Sequence, residues 1–298
     1  MVPKRSLAER VRIFEIPGYL ESRSINALGD SGAKHNFMNE DFALRSGLEV
    51  DRADVRKVRI GSGLEITTKG SVTSTFRFQD EYDYYSLVFH ILPNSLHDVI
   101  LGKPFLGVTQ TLTKFFHRIK EKVVKAVSQQ RHMLYLGASG PRFEGYVKNV
   151  PQAALGDTGS KVAVLDEDFA RRIGVPIHNT RKYRTWLRFA DNSTVRAAGM
   201  AFGVEWKFGG SETPYLLDFH ILKNASSSVI LCDTFLFDTR AFSQYQDCLF
   251  DEDHEDNEYS HCFAIDKDRK YQPQSKCIVS LANQSTNVIK QEIQKHYL

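Results

Sequence analysis

The 298-residue sequence has four cysteines, and no two of them form a Cys-x-x-Cys pair. All four lie in the last third of the chain, at Cys232, Cys248, Cys262 and Cys277. Zinc sites and redox-active dithiols commonly use that paired spacing, so its absence favours reduced structural thiols. A zinc site that adds His254 or His261 to the thiols stays open as an alternative. We predict neither a metal nor another cofactor.

Long apolar runs and an excess of charge of one sign are also missing. No apolar run approaches the ~20 residues that span a membrane, and the first fifteen residues are charged throughout, unlike a signal peptide. The 39 Lys and Arg residues nearly balance the 36 Asp and Glu residues, which leaves a net charge of +3. Bulk charge therefore gives no indication of nucleic-acid or membrane-surface binding. We expect a soluble, intracellular, cytoplasmic protein.

An internal duplication is the most informative feature that is present. Residues 27–47 align without a gap to residues 154–174, and 12 of the 21 aligned positions are identical. Later matches, such as Phe-His-Ile-Leu at 89–92 and 219–222, continue the alignment with small shifts. The chain is therefore expected to contain two homologous units of moderate size. The predicted division is an N-terminal segment 1–19, a first lobe 20–108, a linker 109–147, a second lobe 148–240 and a C-terminal extension 241–298.

Strand patterns dominate both units. Apolar runs and alternations rich in β-branched and aromatic residues predict strands at 72–78, 86–92 and 200–208. Turn-forming residues separate the strands at Gly61-Ser62-Gly63, Asp191-Asn192-Ser193 and Gly209-Gly210. One short helix is expected in each unit, near 39–46 and 166–173. The predicted fold class is mainly β.

The linker and the C-terminal extension carry opposite charge. Residues 111–130 place apolar side chains on one face of a predicted helix, namely Leu112, Phe115, Phe116, Ile119, Val123 and Val127, with basic residues elsewhere. We interpret this segment as a basic amphipathic helix packed on the lobes, with a calmodulin-like or membrane-surface role as the alternative. Residues 247–258 contain seven carboxylates and no Lys or Arg, which indicates a solvated or disordered acidic loop.

Two equivalent turns, Asp30-Ser31-Gly32 and Asp157-Thr158-Gly159, carry the functional signal. A pseudo-twofold arrangement of the two units would bring these turns face to face. Two carboxyls ~3 Å apart cannot both ionise easily, so their pKa values separate and leave one acid and one base that can activate a water molecule. The glycines would allow tight turns, and the hydroxyls would hydrogen-bond across the interface.

Each unit resembles a retropepsin-like aspartic protease domain, the type found in retroviral and retrotransposon polyproteins. The matching features are the Ala-Leu-x-Asp-(Ser/Thr)-Gly turn, the Asp-Phe-Ala helix that follows it, a central hairpin, and Val-Ile-Leu-Gly before Pro-Phe-Leu at 99–106. Family members are usually homodimers, so the tandem chain resembles a retrotransposon-derived, intramolecular pseudodimer; further oligomerisation stays open. Zinc-knuckle and polymerase motifs of a mobile-element polyprotein are absent from the sequence.

The resemblance implies an aspartic endopeptidase whose catalytic pair is Asp30 and Asp157. Ser31, Gly32, Thr158 and Gly159 would support that pair. Two hairpins would act as flaps over the cleft, with their tips at Gly61, Ser62 and Gly63 and at Ala190, Asp191 and Asn192. The substrate would be a polypeptide bound as an extended strand, without nucleic acid, membrane or metal.

The sequence departs from the family pattern at three places. Gly29 and Gly156 precede the aspartates where an apolar residue is usual, Cys232 replaces the equivalent of Gly102, and the second flap tip lacks glycine. A catalytically inactive, domesticated scaffold that binds peptides or partners is therefore the alternative function. His90 and His220 recur within apolar strands and are interpreted as core histidines.

Overall fold

The computed structural model describes residues 10–59, 65–125, 131–132, 140–251 and 265–266. The first lobe and the linker contain the strands β1 (Arg10–Leu20), β2 (Arg23–Asp30), β3 (Asn36–Asn39), β4 (Lys57–Arg59), β5 (Glu65–Thr67), β6 (Ser71–Phe78), β7 (Tyr84–Leu92), β8 (Val99–Gly102), β9 (Lys120–Lys125) and β10 (Arg131–His132). Their helices are α1 (Glu40–Arg45), α2 (Lys103–Val108) and a 3-10 turn at Phe116–Arg118.

The second lobe repeats this sequence of elements. Its strands are β11 (Pro141–Val147), β12 (Val150–Gly156), β13 (Ala163–Asp166), β14 (Trp186–Arg188), β15 (Thr194–Arg196), β16 (Gly199–Phe208), β17 (Pro214–Leu222), β18 (Val229–Leu231) and β19 (Leu249–Asp251), and a further strand, β20 (Ile265–Asp266), follows. Its helices are α3 (Glu167–Arg172), α4 (Asp233–Asp238) and α5 (Ala241–Gln244), with 3-10 turns at Arg181–Tyr183 and Gln246–Cys248.

Strand order relates the two lobes. The first sheet runs β2-β8-β3-β7-β6-β1-β9, and the second runs β12-β18-β13-β17-β16-β11-β19, which is the same order of equivalent strands. In each sheet the strand before the aspartate turn pairs in parallel with the Val-Ile-Leu strand, as β2 does with β8 and β12 with β18. The predicted mainly β fold with two lobes is confirmed.

Side-chain caps explain where the two short helices begin. The Asn39 side chain accepts a hydrogen bond from the Phe42 amide at 2.9 Å, and Asp166 accepts from the amides of Asp168 and Phe169. Such caps satisfy amide groups that have no partner within the first helical turn. The helices predicted near 39–46 and 166–173 are confirmed as α1 and α3.

The helix predicted over residues 111–130 is wrong. The chain forms a 3-10 turn at Phe116–Arg118 and then strand β9, which pairs antiparallel with β1. The edge of β1 offers backbone hydrogen bonds and paired charges, including a 2.5 Å contact between Lys122 and Glu15. This long-range pairing outweighs the local helical pattern, and the β-branched Val123 and Val124 also suit a strand. Val127 lies outside the described residues.

Both sheets extend beyond the predicted lobe boundaries. Strand β1 begins at Arg10, within the predicted N-terminal segment, and β11 begins at Pro141, within the predicted linker. Downstream of residue 240, Phe242 and Cys248 are buried in the second core. Most of the predicted acidic loop, from residue 252 onward, lies outside the described residues. None of the helices in the described ranges is both long and apolar enough to span a membrane.

Three apolar clusters form the core. One fills each lobe, around Phe89 and Phe105 in the first and around Trp206 and Phe219 in the second. The third contains buried residues of both lobes, including Leu28, Ile100, Leu155, Ile230 and Phe189. Because Leu28 and Leu155 each stand two residues before an aspartate, this shared cluster surrounds the predicted active site.

Candidate active site

The two aspartate turns lie against one another at the junction of the lobes. Asp30 ends β2, Asp157 follows β12, and neither side chain has exposed surface. In each turn one carboxylate oxygen, Oδ1, accepts a 2.8 Å hydrogen bond from the amide of the glycine two residues later, Gly32 or Gly159. The glycine amides therefore fix the orientation of both carboxyl groups.

Hydroxyl groups link the two turns across the interface. Thr158 Oγ1 accepts a hydrogen bond from the Ser31 amide at 2.9 Å and donates to the Gly29 carbonyl at 2.7 Å. Ser31 Oγ makes the reciprocal pair, accepting from the Thr158 amide at 2.9 Å and donating to the Gly156 carbonyl at 2.6 Å. All four bonds are buried, so they hold the loops in one relative position.

Gly159 packs directly on the carboxyl group of the opposite lobe. A Cβ atom added to Gly159 would lie 2.7 Å from Asp30 Cγ and 2.7 Å from Asp30 Oδ2. No side chain larger than hydrogen fits in that space without moving the carboxyl group. Glycine is thus required here because of close approach across the interface.

The outer oxygens, Oδ2 of Asp30 and Oδ2 of Asp157, are buried and have no hydrogen-bond donor among the described residues. The two carboxyl groups nevertheless interact electrostatically, since the charge of Asp157 contributes to the raised pKa of Asp30. Two ionised carboxylates can only accept, so a hydrogen bond between them would need one shared proton. Burial, followed by the charge of Asp157, raises the pKa of Asp30 well above its ordinary value. Burial also raises the pKa of Asp157.

A buried ion pair lies beside the second turn. Lys161 and Asp233 are paired, and the Asp233 side chain has no exposed surface. Asp233 also accepts a 2.5 Å hydrogen bond from the Thr234 amide at the start of α4. The negative charge of Asp233 contributes to the raised pKa of Asp157. This pair was not predicted from the sequence, although the change from Lys103 to Asp233 between the repeats indicates it.

Neighbouring side chains explain the glycines that precede the aspartates. A Cβ atom on Gly29 would lie 2.8 Å from Ile16 Cδ1, and one on Gly156 would lie 2.7 Å from the Phe143 ring. Ile16 and Phe143 occupy equivalent positions, because their partners Ala27 and Ala154 match in the repeat. The side chains of Ile16 on β1 and Phe143 on β11 therefore fill the space that an apolar side chain at position 29 or 156 would occupy.

The other departure, Cys232, accompanies a lost hydrogen bond. In the first lobe the Gly102 amide donates to Asn36 Oδ1 at 2.9 Å, and a Cβ on Gly102 would meet the His35 carbonyl at 2.3 Å. Ala163 stands at the position of Asn36 in the second lobe and cannot accept that bond. The segment beneath the second turn is therefore packed differently.

Only the second of the two predicted flap tips lies in the described residues. Its strands β14 and β15 form an antiparallel hairpin, and Ala190 at the turn is buried. Asp191 Oδ1 accepts bonds from the Ser193 amide and hydroxyl, and Asn192 has φ +69°, a value that asparagine tolerates better than most residues. In the first flap β4 pairs with β5, whereas Gly61, Ser62 and Gly63 lie outside the described residues.

His90, His220, Cys232 and Cys248 are buried or partly buried. His90 is buried on β7, with its ring 5.0 Å from that of His35, and His220 Nδ1 lies 2.8 Å from Thr185 Oγ1. Cys232 and Cys248 are free thiols. The described residues contain no group of three or more His, Cys, Asp or Glu side chains placed to hold a metal ion. The alternative zinc ligands His254, His261, Cys262 and Cys277 lie outside the described residues.

Comparison with known families agrees with this geometry. The model of the aspartyl protease family matches residues 16–105, which include the Asp30 turn and the Val-Ile-Leu-Gly strand β8. The resemblance to aspartic proteases is confirmed for the first unit, which is the part of the chain that this family model matches. Among solved structures, the chain is similar to the retroviral protease-like domain of Ddi1 from Leishmania major, with 22% identity and a TM-score of 0.26 over 33% of this chain and 76% of that one. The sequence matches no curated protein.

Proposed function

We propose that this retropepsin-like chain is an aspartic endopeptidase that uses Asp30 and Asp157 as its catalytic pair. The observation that carries the proposal is the pair of buried carboxyl groups with raised pKa values on interlocked turns. Because the outer oxygens have no protein donor among the described residues, they are available to a shared proton and to a water molecule.

In the proposed reaction the ionised carboxylate accepts a proton from water, which attacks the carbonyl carbon of the peptide bond. The protonated carboxyl group donates a hydrogen bond to the carbonyl oxygen. The C–N bond of the tetrahedral intermediate then breaks, and the proton taken from water moves to the leaving amine. No covalent intermediate with the protein forms. The substrate is an extended polypeptide that lies as an added strand between the paired turns and the flaps.

Replacement of each aspartate tests the proposal. Incubation of the protein with a peptide library from pH 3 to pH 8, with products identified by mass spectrometry, should show cleavage where one carboxyl is protonated and the other ionised. Asp30→Asn and Asp157→Asn should each lower the rate by about 10³-fold or more, with the circular dichroism spectrum retained. Cleavage that persists in either variant would contradict the assignment of the pair.

The closed surroundings of the turns support a second candidate function, a peptide-binding scaffold without hydrolysis. Phe189 and Ala190 of the second flap are fully buried, as are both aspartates, so substrate requires the flap to move. A peptide whose scissile amide is replaced by a hydroxyethylene group distinguishes the functions. Binding that weakens in Asp30→Asn is expected for the protease, because the hydroxyl contacts the carboxyls. A scaffold would bind this peptide equally well in both forms and cleave no member of the library.

A further inference from the structure

The second flap region is strongly basic, whereas the equivalent part of the first lobe is not. Residues 175–199 contain five Lys or Arg and one Asp. Residues 48–70, the equivalent range, contain five Lys or Arg and four Asp or Glu. The two ranges form equivalent hairpins and differ in the number of acidic residues that they carry. The second flap region therefore carries an unbalanced positive charge.

Ion pairs increase this difference in available positive charge between the two lobes. In the first lobe Arg52 pairs with Glu40 at 2.7 Å, Arg56 with Asp54 at 3.4 Å, and Arg59 with Glu65 at 3.9 Å. In the second lobe no carboxylate of the described residues lies within ion-pair distance of Arg181 or Arg184. The same holds for Arg196, whose Nε instead donates to the Arg184 carbonyl at 3.4 Å. These three guanidinium groups keep their charge available for a ligand.

A single cavity collects these arginines. Its volume is about 700 Å³, and it is lined by Asn179, Arg181, Arg184, Trp186 and Arg196. Trp186 and Arg196 are directly paired across β14 and β15, and the Trp186 side chain is 49% exposed. An exposed indole that lines the same cavity as guanidinium groups offers a flat apolar surface in addition to cationic donors.

The backbone that carries the arginines is anchored. The Tyr183 ring packs against Phe202 at 5.1 Å and against His178 at 5.9 Å, and the Tyr183 amide donates to the Thr180 carbonyl at 2.9 Å. Tyr183 ends the 3-10 turn that begins at Arg181. These contacts hold the arginine-bearing turn against β16, so the cationic side chains start from a fixed position.

We propose that this cavity binds an acidic segment of the polypeptide substrate, outside the residues that flank the scissile bond. The proposal rests on the proposed peptidase function and adds a substrate class to it. Leu187, the residue next to Trp186, belongs to the apolar cluster around the paired turns, so the same hairpin has one face toward that cluster and the other toward the cavity. A chain that leaves the cleft past this hairpin reaches the arginines.

The chemistry of the cavity favours carboxylates of a polypeptide over a nucleic acid. Planar guanidinium groups bind carboxylates through two parallel hydrogen bonds. Nucleic-acid binding instead relies on a track of cations that contacts many successive phosphates. The three arginines without an acidic partner among the described residues line one cavity, whereas the three arginines of the equivalent range in the first lobe already pair with acids.

The test measures binding in the 298-residue chain that carries Asp30→Asn, so that the probe stays intact. The probe is a fluorescein-labelled twelve-residue peptide with alternating glutamates, and the comparison peptide has glutamine at each of those positions. At low salt the glutamate peptide should bind about tenfold more tightly, and 0.5 M NaCl should remove most of the difference. The triple change R181Q, R184Q and R196Q should abolish the preference, whereas R52Q with R59Q should retain it.

Tryptophan fluorescence gives a second readout. The chain has two tryptophans, and Trp206 is fully buried, so a change in emission on adding unlabelled glutamate peptide reports Trp186. Trp186→Phe should remove that change. Equal binding of the two peptides, equal losses in the triple and control variants, or tighter binding of a twelve-nucleotide single-stranded RNA would each overturn the inference.

The outcomes also separate this inference from the proposed function. Preferred binding of the glutamate peptide together with a complete absence of peptide cleavage by the unmodified chain would contradict the peptidase and retain the acidic site. Cleavage with no preference for acidic flanking segments, and with no effect of the triple change on KM, would retain the peptidase and contradict the acidic site.

Discussion

Burial of two carboxyl groups has a cost in folding free energy that depends on pH. The pKa values of Asp30 and Asp157 are raised in the folded protein, and the largest cause is burial away from solvent. A raised pKa means that the protonated carboxyl group is favoured in the folded state. The contribution of each protonated carboxyl group to stability is therefore fully present below the ordinary pKa near 4 and is lost as the pH rises through the raised values.

Asp30→Asn should consequently stabilise the protein at high pH. We expect the free energy of unfolding at pH 8 to exceed that of the unmodified chain by about 1 kcal/mol or more, because asparagine avoids a buried charge. The difference should shrink toward pH 4, as measured by urea denaturation at both pH values. Asp80→Asn, at an exposed position, is the control and should have a small effect throughout. A variant that is less stable than the unmodified chain at pH 8 would contradict the assigned burial cost.

The close contact at Gly159 gives a second prediction for a single residue. Gly159→Ala would place a methyl group 2.7 Å from Asp30 Oδ2, so we expect a loss of about 1–3 kcal/mol in stability and a displaced carboxyl group. Thermal unfolding measures the first effect, and the rate of peptide cleavage measures the second. Gly107→Ala, within α2, is the matched control. The added Cβ has no neighbour within 4 Å, and alanine should stabilise the protein by about 0.5–1 kcal/mol. Equal stability of the Gly159 variant and the unmodified chain would mean that the turns can separate.

Local elements were predictable where the determining residues are close in sequence. Asn39 and Asp166 directly precede α1 and α3, and the side chains that cap those helices belong to the same short segment. Strand β9 was not predictable in this way, since its partner β1 lies about a hundred residues earlier and supplies the backbone bonds. The same reason hid the partners of Gly29 and Gly156, because Ile16 and Phe143 reach them from separate strands. The aspartate turns themselves were predicted from the repeat.

The interlocked turns give a prediction for a pair of elements. Thr158→Val keeps the side-chain shape but removes the hydroxyl, leaving the Ser31 amide and the Gly29 carbonyl buried without that partner. Loss of both bonds should cost about 2–5 kcal/mol. Thr158→Ser retains the hydroxyl and should cost about 1 kcal/mol. Urea denaturation compares them, and similar losses in the two variants would show that packing of the methyl group, and not hydrogen bonding, holds the turns.

Contacts between the lobes predict that the molecule unfolds as a single cooperative unit. The Phe14 ring of β1 lies 4.5 Å from the Phe237 ring of α4, and Arg12 binds both Asp238 of α4 and Glu121 of β9. Together with the shared apolar cluster, these contacts join the first sheet to the helix of the second lobe. Unfolding of one lobe would expose apolar surface on the other.

Phe237→Ala tests this cooperativity. The ring is nearly buried and also contacts Phe116, so its loss should cost about 3–5 kcal/mol. Both tryptophans lie in the second lobe, which lets fluorescence follow that lobe while circular dichroism follows the whole chain. The two signals should shift together to lower urea. Leu216→Ala, at a 73% exposed side chain, serves as control and should change little. Separate transitions in the unmodified protein would show that the lobes unfold independently.

The charges at the lobe junction bear on how the two halves can evolve. Lys103 of α2 contacts Asp251 of β19 at 2.8 Å, and the matching registers make Asp233 and Glu121 the equivalents of these residues. A symmetric copy of that contact would oppose two acids, but Asp233 pairs with Lys161 and Glu121 with Arg12. In a homodimer every substitution is inherited at both halves, so Asp233 would have met a second Asp251. In a single polypeptide each half can mutate alone, so the two halves can carry different charges and need not be able to replace one another.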